Sequence, residues 1–218
     1  KSSSEYVDGF SGKLQPMFST SNYGMIYSRQ TSISSMTSEI VTFNLYKLHG
    51  SLNWYLDENN IFSCDIVSRI KKINSTIDVD SDFINEYNKL AIVNPSKSKL
   101  NKTVLDVNYY DQLRILSNEM EKNNSILISF GFSFNDEHIR HITYRFLKGN
   151  PTLNLIILSF NEESTINYKA HFETFSNVSI IQLVSIVKNE NGSTIEVLEN
   201  FTLERLNVIL EEIYNGTK

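Results

Sequence analysis

In the second half of the chain, segments of helical apolar spacing alternate with short continuous apolar runs, and this alternation predicts the fold class. Over 109–122, Tyr109, Leu113, Leu116 and Met120 follow at intervals of four, three and four, which places them on one face of a helix. Residues 125–130 form an isoleucine-rich run that predicts a buried strand ending at Gly131. A helix is expected over 135–148, with Ile139, Ile142 and Phe146 on its inner face. Ser133 and Asp136 have the spacing of a capping box before it, and Pro151 marks its end. A second strand is expected over 153–158, then a helix from an Asn161 cap to about 172, then a third strand over 178–183. The last helix starts from a Thr202 cap and carries Leu203, Leu206, Leu210 and Ile213 as its stripe.

The first half is less regular. Residues 1–39 are rich in Ser, Thr, Tyr and Gly with no sustained period, so irregular or short-stranded structure is expected there. Segment 41–49 alternates as a strand would, with Phe43, Leu45 and Lys47 on one side and Asn44, Tyr46 and Leu48 on the other. Gly50 and Ser51 are expected to end it. Residues 57–88 are polar around scattered apolar positions and suggest a small inserted cap module; a short strand over 90–93 follows, stopped by Asn94-Pro95.

Strands alternating with helices in this way predict an α/β fold with a Rossmann-like parallel sheet, helices on both faces and right-handed crossovers. Ligands of such sheets sit outside the carboxyl ends of the strands, which directs attention to 131–135 and 159–161.

Composition narrows the function classes. With 218 residues, 40% hydrophobic and 21% charged, the chain can build one sizeable core, and a single domain over 1–218 is the default expectation. A net charge of -5 gives no basic footprint for a nucleic-acid backbone. Cys64 is the only cysteine, so neither an internal disulfide nor a cysteine-based zinc site can be built, and a reducing, cytoplasmic setting is expected. No apolar run reaches the roughly 18 residues of a membrane span, and the first ten residues contain no apolar stretch of signal-peptide type.

Two motifs carry candidate chemistry. The first is Lys47-Leu48-His49-Gly50-Ser51-Leu52-Asn53-Trp54, in which a histidine at a strand end beside a glycine can move a proton near neutral pH; a hydrogen-bonded structural histidine is the alternative. The second runs over 126–139 and sets Gly131 between a buried strand and a helix N-terminus, where backbone N–H groups can hold a phosphate. It lacks the full G-x-G-x-x-G pattern, so a capped turn with no ligand is the competing reading. Glu137, His138 and His141 have no clear further ligand, and no metal is expected.

Together and in this order, the motifs resemble the SIR2-like (sirtuin-related) family, particularly its bacterial branch with KLHGS-N-W followed by a GFSFNDEHI-type segment. The resemblance covers about 7–183. It implies that His49 is the catalytic base acting on the ribose hydroxyls of NAD+, that Gly131 and Ser133 contact its phosphates and ribose, and that Ser159 and Asn161 mark a third contact. The family's Gly-rich phosphate loop and Asn-x-Asp segment are absent, and Asn22-Tyr23-Gly24 is a poor substitute for the latter. The chain is therefore expected to begin after them, leaving exposed apolar strand edges where further strands would pair. The cysteines of the deacylase zinc module are missing too, and the 57–88 module stands in its place.

This departure implies the NAD+-hydrolysing, defence-associated branch, releasing nicotinamide and ADP-ribose and depleting NAD+ in antiphage defence. A homo-oligomer, or a partner such as a HerA-type ATPase, is implied with it; nucleic acid and membrane are not. The alternatives are a non-catalytic NAD+ or ADP-ribose sensor or oligomerisation scaffold, and an NAD-dependent protein deacylase, the last disfavoured by the missing cysteines.

Overall fold

In the computed structural model, the described residues are 4–30, 37–65, 80–93, 107–188 and 194–216. The architecture is mixed α/β, and the chain divides into two compact units, 1–115 and 116–218. No helix among the described residues is long and apolar enough to cross a membrane.

The first unit is mostly strand. In chain order it has β1 (Glu5–Val7), β2 (Phe10–Ser11), β3 (Met17–Phe18), a 3-10 turn (Thr20–Gly24), β4 (Ser28–Gln30), β5 (Thr37–Glu39), β6 (Thr42–Asn44), β7 (Gly50–Asp57), β8 (Asn60–Ser63), α1 (Asp80–Asn88) and β9 (Leu90–Ile92). Five of these strands form an antiparallel sheet in the order β2-β3-β8-β7-β9. Phe18, Trp54, Ile61, Ala91, Val93 and Tyr109 are its buried cluster, with Phe10 and Tyr23 packed alongside. Aromatic rings supply much of the area: Phe18 and Phe10 lie 4.7 and 5.4 Å from Trp54, centroid to centroid.

The strand expected over 41–49 shortens to β6, which pairs in parallel with β1. Its alternation did not report burial, because Phe43 remains exposed and stacks on exposed Tyr6 at 6.0 Å. Gly50 and Ser51 open β7 instead of ending a strand. Gly50 has φ +76°, and a Cβ there would collide with the carbonyl of Ala91, so the glycine lets β7 lie directly against β9. Of the expected 57–88 module, the first part is the β7–β8 hairpin within the sheet and the last part is α1. Residues 66–79, like Asn94-Pro95, lie outside the described residues.

The second unit follows the predicted alternation closely. Helix α2 (Val107–Glu121), which begins in the first unit and crosses into the second at residue 116, leads into β10 (Ile126–Phe130), α3 (Glu137–Gly149), β11 (Asn154–Leu158), α4 (Glu162–Phe172) and β12 (Val178–Ile181). The strands form a parallel sheet in the order β10-β11-β12. On one face, Leu155 and Ile157 are fully buried with Met120, Leu147, Tyr168 and Phe172 from α2, α3 and α4, and Leu127, Val178 and Ile180 pack against them. Sequential strand order with right-handed crossovers puts each connecting helix on the same side. On the opposite face Ile126, Ile128, Phe130 and Ile181 are exposed; the helical cover expected there is not seen among the described residues.

Helix α3 is capped by Asp136, whose carboxylate accepts from the His138 N–H at 3.2 Å, and not by Ser133. Asn161 caps α4 as expected, accepting from the Ser164 N–H at 2.9 Å. The strand expected to reach 183 stops at Ile181. A hairpin that the periodicity did not indicate follows, β13 (Leu183–Lys188) against β14 (Thr194–Glu199). Helix α5 (Leu203–Gly216) starts where expected, with Thr202 Oγ1 accepting from the Arg205 N–H at 3.2 Å. Its stripe is not buried: Leu203 and Leu210 are exposed.

Candidate functional site

His49 lies in a two-residue turn between β6 and β7, in the first unit, and is partly buried. Its carbonyl accepts from the Val93 N–H at 2.9 Å, and the Gly50 N–H donates to the Lys47 carbonyl at 2.9 Å. These two bonds lock the turn to β9 and close it on itself. Lys47 completes the clasp. Its ammonium donates to Ser51 Oγ at 3.1 Å and to Asn53 Oδ1 at 3.2 Å, and sits 5.8 Å from the centre of the Trp54 ring. The motif is thus a self-bracing loop that fixes the backbone on which His49 is carried. The bracing role of Lys47 was not assigned from sequence, although its hydrogen-bond and ring partners Ser51, Asn53 and Trp54 were all within the quoted motif.

The nearby N-terminal turn is braced in the same manner. Asn22 is buried and donates to the Gly9 carbonyl at 2.8 Å and to Ser11 Oγ at 3.3 Å, so its amide serves the turn around Asp8-Gly9. Tyr23 donates its hydroxyl to the Leu45 carbonyl at 2.9 Å and packs 4.4 Å from Tyr46. Burial, followed by Tyr46 and Asp8, pushes the Tyr23 phenol well above its ordinary value.

The other four residues come together in the second unit. Phe130 and Leu158 are register partners in adjacent parallel strands, so Gly131 and Ser159 leave the carboxyl edge of the sheet side by side. Gly131 has φ +66° with nothing within 4 Å of where a Cβ would be, and Ser133 is exposed, its hydroxyl accepting weakly from the Asn135 N–H at 3.4 Å. Ser159 is fully buried and spends its hydroxyl internally, donating to the Asn161 carbonyl at 3.0 Å. Thr165 Oγ1 lies 2.8 Å from Ser159 Oγ, 3.0 Å from the Asn161 carbonyl and 2.8 Å from Gln182 Oε1. Its single proton serves one of these acceptors, while Gln182 Nε2 is buried without a partner. Turning the Gln182 amide over resolves the conflict at Thr165, because Nε2 then donates to Thr165, Thr165 to Ser159 and Ser159 to Asn161, and the buried atom left without a partner becomes the acceptor Oε1.

The 131–136 loop is anchored by a residue that sequence reasoning passed over. Phe134 is buried, has φ +57°, and packs 4.9 Å from Phe132 and 4.8 Å from Phe172. A bulky residue at positive φ is strained, and persists where its surroundings fix it. Here Arg140 Nη1 donates to the Phe134 carbonyl at 2.9 Å and the Tyr168 hydroxyl donates to the Phe132 carbonyl at 3.1 Å. The F-S-F spacing was visible in the sequence; the backbone conformation of its second Phe was not.

The chain matches no family model and no curated protein.

Charge limits what the loop can hold. The α3 N-terminus is already occupied by the Asp136 carboxylate with Glu137 behind it, and α4 starts with Glu162 and Glu163. Each carboxylate opposes an anion at the helix dipole, and each can accept from a sugar hydroxyl. Gly131 and Ser133, which precede the Asp136 cap, are the part of the loop open to a phosphate. Among the described residues no group of three or more His, Cys, Asp or Glu is placed to hold a metal ion.

Proposed function

We propose that the chain is part of a SIR2-like NAD+ hydrolase, with the β10–β12 sheet forming part of a Rossmann-like nucleotide-binding fold. The observation that carries this reading is the meeting of Gly131 and Ser159 at the carboxyl edge of adjacent parallel strands, where such sheets take their ligands. The backbone at Gly131 is open to close approach by a phosphate, and Ser133 offers an exposed hydroxyl beside it. Because Ser159 and Asn161 use their side chains within their own turn, backbone groups there would make the contact, and Glu162 or Glu163 suits a ribose hydroxyl.

In this reading the bond between nicotinamide and ribose breaks, nicotinamide leaves, and water adds at the ribose carbon to give ADP-ribose and a proton. Charge develops on the ribose as an oxocarbenium-like centre. His49 takes a proton from a ribose hydroxyl or from the water. Its turn, locked to β9 and clasped by Lys47, is suited to hold an imidazole in one place. Depletion of NAD+ in antiphage defence, with a homo-oligomer or a HerA-type ATPase as partner, is the biological setting that goes with this reading.

The second reading is a sensor or scaffold that binds NAD+ or ADP-ribose without cleaving it, which would use the same open backbone at Gly131 and the Ser133 hydroxyl and need no base. Nicotinamide release from NAD+, measured with and without candidate activating partners, separates the two. Release that His49→Ala abolishes while ADP-ribose binding persists supports the hydrolase. Binding without release under every condition supports the sensor.

A further inference from the structure

We infer that Gln112 is a binding residue of the His49 site and recognises the carboxamide of nicotinamide, an assignment that rests on the NAD+ reading above. Gln112 is fully buried, and neither its amide nitrogen nor its amide oxygen has a hydrogen-bond partner among the described residues. Other deeply buried polar side chains are satisfied within the fold. Thr143 donates to the Ile139 carbonyl at 2.7 Å, and Asn150 to the Met120 carbonyl at 2.9 Å. An amide buried with both groups unspent is unfavourable, and its presence calls for a reason. Leu113, Leu116 and Met120 line the rest of this helix face, and a methionine or leucine at 112 would fill the same space with no polar group to satisfy. Packing alone therefore gives no reason for an amide here.

The start of α2 ties this amide to His49 within the first unit. Tyr109, one turn before Gln112, is buried in the aromatic cluster of the five-stranded sheet, and a Cβ built on Gly50 would lie 2.9 Å from its hydroxyl oxygen. The first turn of α2 thus rests on the residue that follows His49. Asp111 accepts from Thr20 Oγ1 at 3.2 Å, which fastens the same stretch of helix to the 3-10 turn. Long side chains on a helix lean back over the preceding turn, so the Gln112 amide extends toward Tyr109 and the Gly50 backbone.

The chemistry of the amide selects its ligand. With donor and acceptor both unspent, it fits a group that presents one acceptor and one donor side by side in a plane. A carboxamide is such a group and forms a reciprocal pair of hydrogen bonds with a glutamine. NAD+ carries one on its nicotinamide, which leaves from the ribose on which His49 is proposed to act. The adenine edge offers a similar pair, but it lies at the far end of the dinucleotide from the proposed base. A carboxylate in place of the carboxamide has no donor, and Gln112 Oε1 would then face an oxygen with no proton between them.

The test compares Gln112 with Gln112→Met, and with Gln112→Leu as the second variant, by calorimetric titration and thermal unfolding. Titrations use a His49→Ala background so that NAD+ survives them, and the probes are NAD+, deamido-NAD+ (carboxylate for carboxamide) and ADP-ribose. With Gln112 present, NAD+ should bind about tenfold or more tighter than deamido-NAD+, because a site built to hydrogen-bond a group rejects the analogue that lacks it. In the variants that ratio should fall to about one, while ADP-ribose affinity stays unchanged. The variants should also melt at higher temperature, since an unsatisfied buried amide has been replaced by an apolar side chain. Lower melting of both variants overturns the proposal, because the amide is then bonded within the fold. An unchanged ratio overturns it and leaves the NAD+ reading standing, as does a loss of ADP-ribose affinity, which would assign the amide to the adenine. Failure of the Gln112 protein to bind any of the three probes overturns the proposal together with that reading.

Discussion

Phe134 holds a backbone φ of +57° while its carbonyl accepts a 2.9 Å hydrogen bond from Arg140 Nη1, one turn into the following helix. The guanidinium and the aromatic packing around the ring together keep the 131–136 loop in a conformation that the backbone would otherwise leave. Phe134→Ala should cost about 3–5 kcal/mol for the lost ring. Phe134→Gly should cost about 1 kcal/mol less than the alanine, because glycine relieves the left-handed strain. Urea unfolding of the two variants checks the order. An alanine variant as stable as the glycine one would show that the positive φ stores no strain.

Gly50 and Gly131 both have positive φ, +76° and +66°, but their surroundings differ. A Cβ at Gly50 runs into the Ala91 carbonyl, so Gly50→Ala must break the β7–β9 contact as well as bear the backbone strain. It should be among the exceptional losses, about 4 kcal/mol or more. Gly131→Ala meets open space and should cost only about 1–2 kcal/mol. The two thermal midpoints, measured side by side, test this.

Tyr23 and Tyr168 are both held protonated by burial, and for Tyr23 the nearby Tyr46 and Asp8 add to the effect. Their folded values lie above that of an ordinary phenol, about 10, so between that pH and the folded value the native state binds more protons than the unfolded chain. Stability from these phenols is therefore fully present below about pH 10 and declines as pH rises beyond it. Tyr23→Phe should flatten that alkaline decline while losing the bond to the Leu45 carbonyl at neutral pH. Unfolding free energies at pH 8 and pH 11 for both proteins measure it; equal slopes would contradict the assignment to Tyr23.

The second unit was legible because its signals are local. Periodicity placed α2, β10, α3, β11, α4 and β12, and Asn161 was recognisable as a cap from its position before the helix. The cap of α3 was placed three residues early, because the S-x-x-D spacing makes Ser133 the cap, whereas the left-handed turn at Phe134 starts the helix later and leaves Asp136 as the cap. In the first unit little was legible beyond the short strand expected over 90–93, found at Leu90–Ile92. The strands of this unit pair over long sequence separations and its core is aromatic, so Phe43, Leu45 and Lys47 alternated without sharing a buried face. Gly50 looked like a stop, since the Ala91 carbonyl that makes it necessary is some 40 residues away. The hairpin was missed because β13, with the sequence Leu-Val-Ser-Ile-Val-Lys, does not alternate, and the alternation of Thr194 to Val197 in β14 is only four residues long.

Asp136 has two effects that can be separated. Asparagine caps as well as aspartate, so Asp136→Asn should leave stability within about 0.5 kcal/mol, whereas Asp136→Ala should cost about 1 kcal/mol. If a phosphate of ADP-ribose sits near Gly131 and Ser133, removing the carboxylate should also tighten binding, by about two- to fivefold. Calorimetric titration of ADP-ribose into both variants tests the placement. Unchanged affinity in Asp136→Asn would move the phosphate away from this loop.

Lys47 provides the last test, because the clasp it forms includes the only tryptophan. Its ammonium bonds Ser51 and Asn53 and faces the ring of Trp54, which is 1% exposed. Lys47→Met keeps most of the side-chain volume and loses both hydrogen bonds and the cation–π contact. The loss should be about 1–2 kcal/mol. Trp54 should stay buried, with its emission maximum unmoved, because its packing against Phe10 and Phe18 is untouched. The turn itself should loosen, and amide exchange across 47–51 should speed by about tenfold, the kinetic equivalent of that loss. If His49 is the base in NAD+ cleavage, the same variant lowers kcat with its imidazole intact, since the residue that fixes its backbone has gone. Unchanged exchange at 47–51 would show that the turn is held by its bonds to β9 alone.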